Sequence, residues 1–338
     1  MNPTSTFAPL SSRTNAGQPH SHLRLGLALF AAALLSATAC DNDARTEAGS
    51  SPATTALTTT TTATTSTTTL ATTVAPPTTT VTTVARPTAT IDQLVGAQGA
   101  RVHIRCIGNG DTTVLLIAGF GGSTESWAKV EPAIDTRARV CSYDRPGTGT
   151  SDPATSTPTF ATQATDLHAL LNTIGEPGPY VVVGHSFGGA EAITFASRFT
   201  DDVSGLVLID ASPATWPAAL CAVPDDGSAA TVHGTCNDSF LPTGNREHLD
   251  VAAAFAEVSR VGSLGSIPMA VVTATVRELP VGLASAEVAR LTEAWNLGQQ
   301  NWMGLSTTAH LVPVDHTSHH IEIDQPEIVI DEITRLLP

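Results

Sequence analysis

Apolar positions in residues 91–338 fall into short runs that alternate with longer stretches of helical spacing. Ala100–Ile107 alternates apolar and polar residues and predicts a strand. Thr113–Ala118 (TVLLIA) is continuously apolar, and Arg139–Tyr143, Tyr180–Val183, Ser204–Ile209, Ile267–Thr273 and His310–Val314 predict further strands. Phe160–Ile174, Ala284–Gly304 and Gln325–Leu337 have helical spacing. Apolar strands alternating with helices imply a mostly parallel sheet covered on both faces. In such sheets ligands bind beyond the carboxyl ends of the strands. The glycine-rich stretch Gly119-Phe120-Gly121-Gly122, the turn starting at Asp144, the segment Gly184–Gly188 and Asp210 all fall at such ends. Ala211–Ser266 interrupts the alternation with prolines, glycines, Trp216, Cys221 and Cys236.

The first quarter of the chain has a different pattern. Leu25–Ala39 is an apolar run preceded by His22 and Arg24, and it ends in Ala37-Thr38-Ala39 before Cys40. The run is short for a bilayer span and reads as a secretory signal over residues 1–39. Small residues followed at once by cysteine resemble a bacterial lipoprotein signal, which implies lipidation of Cys40, attachment to a membrane and an exported protein; an ordinary cleaved signal is the alternative. Thr46–Thr90 is dominated by Thr, Ala, Pro and Val, with no charged residue from Gly49 to Ala85. Large apolar groups are too few there to offset the entropy of ordering, so residues 40–90 read as a tether. Residues 91–338 suit one α/β domain.

The formal charge is −15 and Lys129 is the only lysine, which excludes a basic stripe for nucleic acid. Of five cysteines, Cys40 is the lipidation candidate, and the other four can pair in three ways in an exported protein. Oligomeric state is left open.

The most specific motif is Tyr180-Val-Val-Val-Gly184-His185-Ser186-Phe187-Gly188, followed by helical spacing from Gly189 to Arg198. This is strand, sharp turn and helix with a serine at the apex. The turn crowds its neighbours, so glycine is needed two positions either side, at Gly184 and Gly188. The motif resembles the nucleophile elbow of the α/β-hydrolase superfamily. The resemblance covers about residues 95–338 and implies that superfamily's fold: a mostly parallel eight-stranded sheet flanked by helices, with a cap inserted after the sixth strand at about 211–266. It implies Ser186 as nucleophile, activated by a base.

The C-terminal stretch Val314-Asp315-His316-Thr317-Ser318-His319-His320, with Pro326 seven positions after His319, resembles the superfamily's histidine loop. This implies His319 as the base, with His320 as runner-up. The residues that resemble the usual acid turn after the seventh strand read Ala274-Thr275-Val276-Arg277-Glu278 and contain no aspartate. Asp210, at the end of the sixth strand, is the preferred acid, because some members carry theirs there; Glu278 is the alternative. A metal reading of His316, His319 and His320 lacks a cysteine or a further acidic pair to complete it. No metal and no cofactor are expected.

The resemblance further implies that the amides of Phe120 and Phe187 hold an oxyanion. The superfamily usually has His-Gly where this chain has Ala118-Gly119. Asp144-Arg145-Pro146-Gly147-Thr148-Gly149-Thr150-Ser151 resembles the family's turn that supports the oxyanion loop. In the family's strand order the second strand lies antiparallel beside the fourth, which implies a Cys106–Cys141 bridge; Cys221–Cys236 would then staple the cap. The implied activity is serine hydrolysis of small acyl compounds, carboxylic esters first. A prolyl iminopeptidase-like peptidase is one alternative, and a non-catalytic cell-surface binding protein that kept the fold is another. Trp216, Phe240, Phe255, Trp295 and Trp302 are candidates for a pocket lining.

Overall fold

The computed structural model describes residues 87–97, 99–227 and 229–338. The expected signal peptide, Cys40 and the tether up to residue 86 lie outside the described residues.

Among the described residues, eight strands form one sheet. They are β1 (Ile91–Ala97), β2 (Ala100–Ile107), β3 (Thr113–Ile117), β4 (Arg139–Tyr143), β5 (Tyr180–His185), β6 (Val203–Ile209), β7 (Met269–Ala274) and β8 (Ala309–Val314). Their order is β1-β2-β4-β3-β5-β6-β7-β8, and only the pairings of β2, with β1 and β4, are antiparallel. The expected mostly parallel, eight-stranded sheet flanked by helices is what forms. β1 is the strand that the hydrophobic pattern does not announce. It is an edge strand, and only Ile91, Val95 and Ala97 pack partly against the core.

The helices are α1 (Glu131–Ile134), α2 (Phe160–Ile174), α3 (Phe187–Arg198), α4 (Trp216–Cys221) and α5 (Ala230–Gly234). They continue with α6 (Val251–Val258), α7 (Ser285–Met303), α8 (Ile321–Asp324) and α9 (Pro326–Arg335). The central strands are buried throughout because side chains of successive residues point to opposite, equally covered faces. Leu115, Ile117, Val182, Leu206 and Leu208 join one core with residues of α2, α3 and α6. Val114, Leu116, Val181, Val183, Val207 and Ile209 join the other with Trp127, Ile134 and residues of α9. Truncating one such side chain, as in Leu206→Ala, would cost roughly 2–5 kcal/mol through lost transfer energy and a cavity. β8 is the other edge, where Pro313 sits opposite Thr273 and its missing N–H is tolerated.

Both disulfides form. Cys106 and Cys141 face each other in the β2–β4 register and are bonded. Cys221, at the end of α4, bonds Cys236.

The insert after β6 is narrower than the expected 211–266. α4, α5 and the turns up to Gly244 carry their own small apolar cluster, built on Leu220, Val223, Ala229 and Val232. α6 belongs to the body instead: Val251, Ala254, Phe255 and Val258 are part of the main core. The Asp250 carboxylate caps α6 by accepting from the Ala253 amide, and the Asp250 amide donates to the Pro158 carbonyl. Composition marks the interruption but not the point where the chain rejoins the body, because α6 is as apolar as any core helix.

Candidate active site

β5 delivers the chain into the elbow at full burial, and α3 starts at once on the far side. Ser186 sits between them at φ 54° and ψ −123°, a backbone conformation that side-chain-bearing residues rarely adopt. The two glycines are required by contact. A Cβ on Gly184 would lie 2.3 Å from the Gly188 carbonyl oxygen, and one on Gly188 2.4 Å from the Ile117 and Ala118 oxygens. Gly189 adds a third close approach, to Ala211 Cβ at 2.4 Å.

His319 is carried by the loop between β8 and α8. Its Nε2 lies 2.9 Å from Ser186 Oγ and its Nδ1 lies 2.7 Å from Asp210 Oδ2. An ionised carboxylate only accepts, so Nδ1 carries the proton and donates to Asp210. Nε2 is thereby left with a lone pair facing the serine hydroxyl, which donates to it. Ser186, His319 and Asp210, named from the sequence, are thus brought into one hydrogen-bonded chain. His320 is exposed and turned to Glu322, 3.2 Å away, not to Ser186. His316 is exposed and lies outside this chain. Glu278 is exposed on the rim of the cleft.

Asp210 closes β6 at φ 39° with no exposed surface. A buried carboxylate needs donors, and it has many. Oδ1 accepts from Thr273 Oγ1 (3.0 Å), Trp295 Nε1 (3.2 Å), the Ala274 amide (3.3 Å) and Arg277 Nη2 (2.9 Å). Oδ2 accepts from Arg277 Nη1 at 2.6 Å as well as from His319. Burial alone would raise the pKa of Asp210, but the His319 and Arg277 hydrogen bonds and the Arg277 charge outweigh it and hold it at about 2. The guanidinium in turn lies over the Trp295 ring, 4.7 Å from its centroid.

Arg277 is the partner that sequence reasoning missed. It occupies the turn after β7, where the resemblance leads one to look for an acid. A basic residue in that turn, together with an aspartate at the end of β6, is the signal that could have found it. Ser212 was also missed: its Oγ lies 3.3 Å from Ser186 Oγ and its amide donates to the Ser186 carbonyl. The Ser186 proton is directed at His319, so Ser212 is the donor of that contact.

The loop after β3 lies against the nucleophile, and a Cβ on Gly119 would come 3.2 Å from Ser186 Cβ. Arg145 fixes it from behind. Its Nη1 donates to the Ala118 carbonyl at 2.7 Å and its Nη2 to the Gly119 carbonyl at 2.5 Å. Glu247 accepts from Arg145 Nε at 2.7 Å and from the Gly121 amide at 2.6 Å. Arg145, Glu191 and Glu247 are all buried, so the pairing is needed to keep each charge there. Both carbonyls ahead of Phe120 are thus held on this side of the loop. The Phe187 amide is the first of α3, where the unsatisfied N–H groups and the helix dipole favour negative charge. The rings of Phe120 and Phe187 pack together, with centroids 5.0 Å apart.

His185, between Gly184 and Ser186, is also buried. Burial pushes its imidazole down to about 4 against the pull of Glu322.

A cleft of about 470 Å³ opens over Ser186 and His319. Phe120, Phe187, Trp216, Leu220, Phe240 and Trp295 give it apolar walls. Of the aromatic residues considered from sequence, Phe255 and Trp302 lie in the body's core instead. Phe255 packs on Phe160 and Phe187, and Trp302 donates to the Ala211 carbonyl.

A family model described as alpha/beta hydrolase fold matches residues 112–224, which include the elbow, Asp210 and the first part of the insert. YqjL of Bacillus subtilis, an uncharacterised protein, is 26% identical over 224 residues, covering 66% of this chain and 82% of YqjL. A 2-hydroxy-6-oxononadienedioate/2-hydroxy-6-oxononatrienedioate hydrolase of Paraburkholderia phymatum is 32% identical over 142 residues, 40% of this chain and 49% of that protein. Among solved structures, Cfl2 of Burkholderia cenocepacia superimposes with a TM-score of 0.54 at 20% identity, covering 73% of this chain and 95% of Cfl2. An esterase of Thermogutta terrifontis gives 0.50 at 19% identity, covering 74% and 100%. Strand order, elbow and family model agree on the α/β-hydrolase fold for this chain.

Proposed function

We propose that this chain is a serine hydrolase of carboxylic esters. The reading rests above all on the chain of contacts from Asp210 Oδ2 through His319 to Ser186 Oγ, 2.7 and 2.9 Å long. In the proposed reaction Ser186 Oγ attacks the acyl carbonyl carbon while His319 Nε2 takes its proton. The negative charge on the carbonyl oxygen is held by the Phe120 and Phe187 amides. The tetrahedral species collapses, the alcohol leaves with the proton from His319, and the acyl group stays on Ser186. A water, deprotonated by His319, then attacks the acyl-enzyme and releases the acid. Asp210 stays ionised, fixes the Nδ1–H tautomer and stabilises the imidazolium.

The apolar cleft walls favour an acyl or alcohol part with hydrocarbon or aromatic character. Export is part of the proposal, and the two disulfides support it, because such bonds persist in oxidising compartments. Lipid anchoring through Cys40 rests on the signal sequence alone.

The test is hydrolysis of p-nitrophenyl esters of increasing chain length, with an aminopeptidase substrate alongside, by wild type and Ser186→Ala. Ester turnover that Ser186→Ala abolishes is the expected result. Cleavage of the amide substrate alone would select the peptidase reading. No turnover of either substrate would favour the binding-protein reading.

A further inference from the structure

Behind the proposed triad, three side chains meet that the reaction does not use. His185 comes from the end of β5, His320 from the loop after His319, and Glu322 from α8. Glu322 Oε1 lies 3.4 Å from His185 Nδ1 and 3.2 Å from His320 Nδ1. His185 Nε2 lies 3.0 Å from the His319 carbonyl oxygen, which can only accept. Nε2 therefore carries the His185 proton, and its Nδ1 presents a lone pair to the carboxylate. Two acceptors face each other with no donor between them. The second oxygen of Glu322 is buried without a hydrogen-bond partner. A carboxylate with no exposed surface and one oxygen unpartnered is costly unless a cation joins it.

The spacing fits a small cation. Zinc with bonds of about 2.0–2.1 Å places tetrahedral ligands about 3.4 Å apart. The two Glu322–histidine edges of the cluster, 3.4 and 3.2 Å, are close to that length, and its three ligand atoms all lie within 4.8 Å of one another. Two imidazole nitrogens with one carboxylate suit zinc, nickel or copper better than magnesium or calcium. His185 and His320 also line the cleft, which gives an ion a way in and a water the fourth position.

We propose that His185 Nδ1, His320 Nδ1 and Glu322 form a binding site for a divalent transition-metal ion of the zinc class. An ion there ties the end of β5 to the loop that carries His319. Binding releases whatever proton His320 Nδ1 holds, and no other group changes hands. The site is separate from the hydrolytic reaction proposed above and does not depend on it.

The test uses the untagged full chain, stripped of metal and titrated with Zn²⁺ alone against a chromophoric chelator. Thermal melting and the visible spectrum of the Co²⁺ form are recorded in parallel. Wild type should bind one zinc that His320→Ala weakens at least tenfold, with a melting temperature raised by zinc only in wild type. Co²⁺ should give the intense visible bands of a four-coordinate site. His316→Ala, outside the cluster, should bind as wild type does. His320 is exposed, so its variant should fold; Glu322→Gln, if it folds, should lose the site too. Zinc binding of equal strength in wild type and His320→Ala would overturn the proposal, as would no zinc binding by wild type. Neither outcome depends on ester turnover.

Discussion

Arg277 grips the Asp210 carboxylate with two hydrogen bonds, 2.6 and 2.9 Å long, from a turn where an α/β-hydrolase acid is commonly sought. The pair is buried, with 5% of the Arg277 side chain exposed and none of Asp210. The carboxylate at the end of β6, the proposed triad acid, is supported by a cation from the turn after β7. Removing one partner of a buried pair leaves an uncompensated charge. Arg277→Met should therefore cost about 3 kcal/mol or more in urea unfolding. It should also lower kcat, because Asp210 loses two of the bonds that orient it towards His319. Unchanged stability and kcat would show that the grip is incidental.

Asp210 and Glu278 make opposite predictions as the triad acid. Asp210→Asn keeps the shape but removes the charge that fixes the His319 tautomer, and should lower kcat by about 10⁴ on the pattern of other triads. Glu278→Gln changes an exposed rim residue and should leave kcat within roughly a factor of three. Steady-state ester kinetics separate the two; the reverse ranking would move the acid to Glu278.

Asp210 also sets an acid limit on stability. Its pKa is held at about 2, against 3.8 for an ordinary aspartate. Between those values the unfolded chain binds more protons than the folded one, so stability falls as pH falls. The contribution is complete above about pH 4 and gone near pH 2, and amounts to ~2 kcal/mol. The gap in urea midpoint between wild type and Asp210→Asn should narrow on acidification through that window. A gap that stays constant would contradict the assignment.

The loop after β3, proposed to hold the oxyanion, rests on a buried pair, Arg145 and Glu247. Arg145 holds the Ala118 and Gly119 carbonyls, and Glu247 joins Arg145 to the Gly121 amide. Glu247→Gln should loosen the Phe120 amide and lower kcat by about 10², the order seen when one oxyanion donor is lost. KM should change far less. An effect on KM alone would place Glu247 in substrate binding instead.

The Cys221–Cys236 bridge closes a loop with a sequence separation of 15 in the insert that walls the cleft. By loop-closure entropy it contributes about 3 kcal/mol to the order of that segment. Cys221→Ser with Cys236→Ser should raise KM for long-chain esters more than for acetate, and make 216–244 the first site of limited proteolysis. Equal KM changes across chain lengths would show that the insert does not shape the cleft.

Much of this was legible in the sequence for local reasons. The elbow is legible because its glycines answer to contacts within a few residues, and the parallel strands because burial on both faces leaves unbroken apolar runs. β1 was not, because an edge strand buries little and needs no such pattern. The return of α6 to the body was hidden because an apolar helix in an insert looks the same whichever surface covers it. Arg277, Ser212 and Glu247 act on residues 67, 26 and 102 positions away, and only the folded sheet brings them together. The Cys106–Cys141 pairing was legible only through the family's strand order.

The central claim is that Ser186 is a nucleophile activated by His319. Its most direct test is labelling of the intact protein by a fluorophosphonate probe, read by intact mass and peptide mapping. The account predicts one probe per chain on Ser186, none in Ser186→Ala and strongly slowed labelling in His319→Ala. Folded wild-type protein that takes up no probe, or takes it up elsewhere than Ser186, would contradict it.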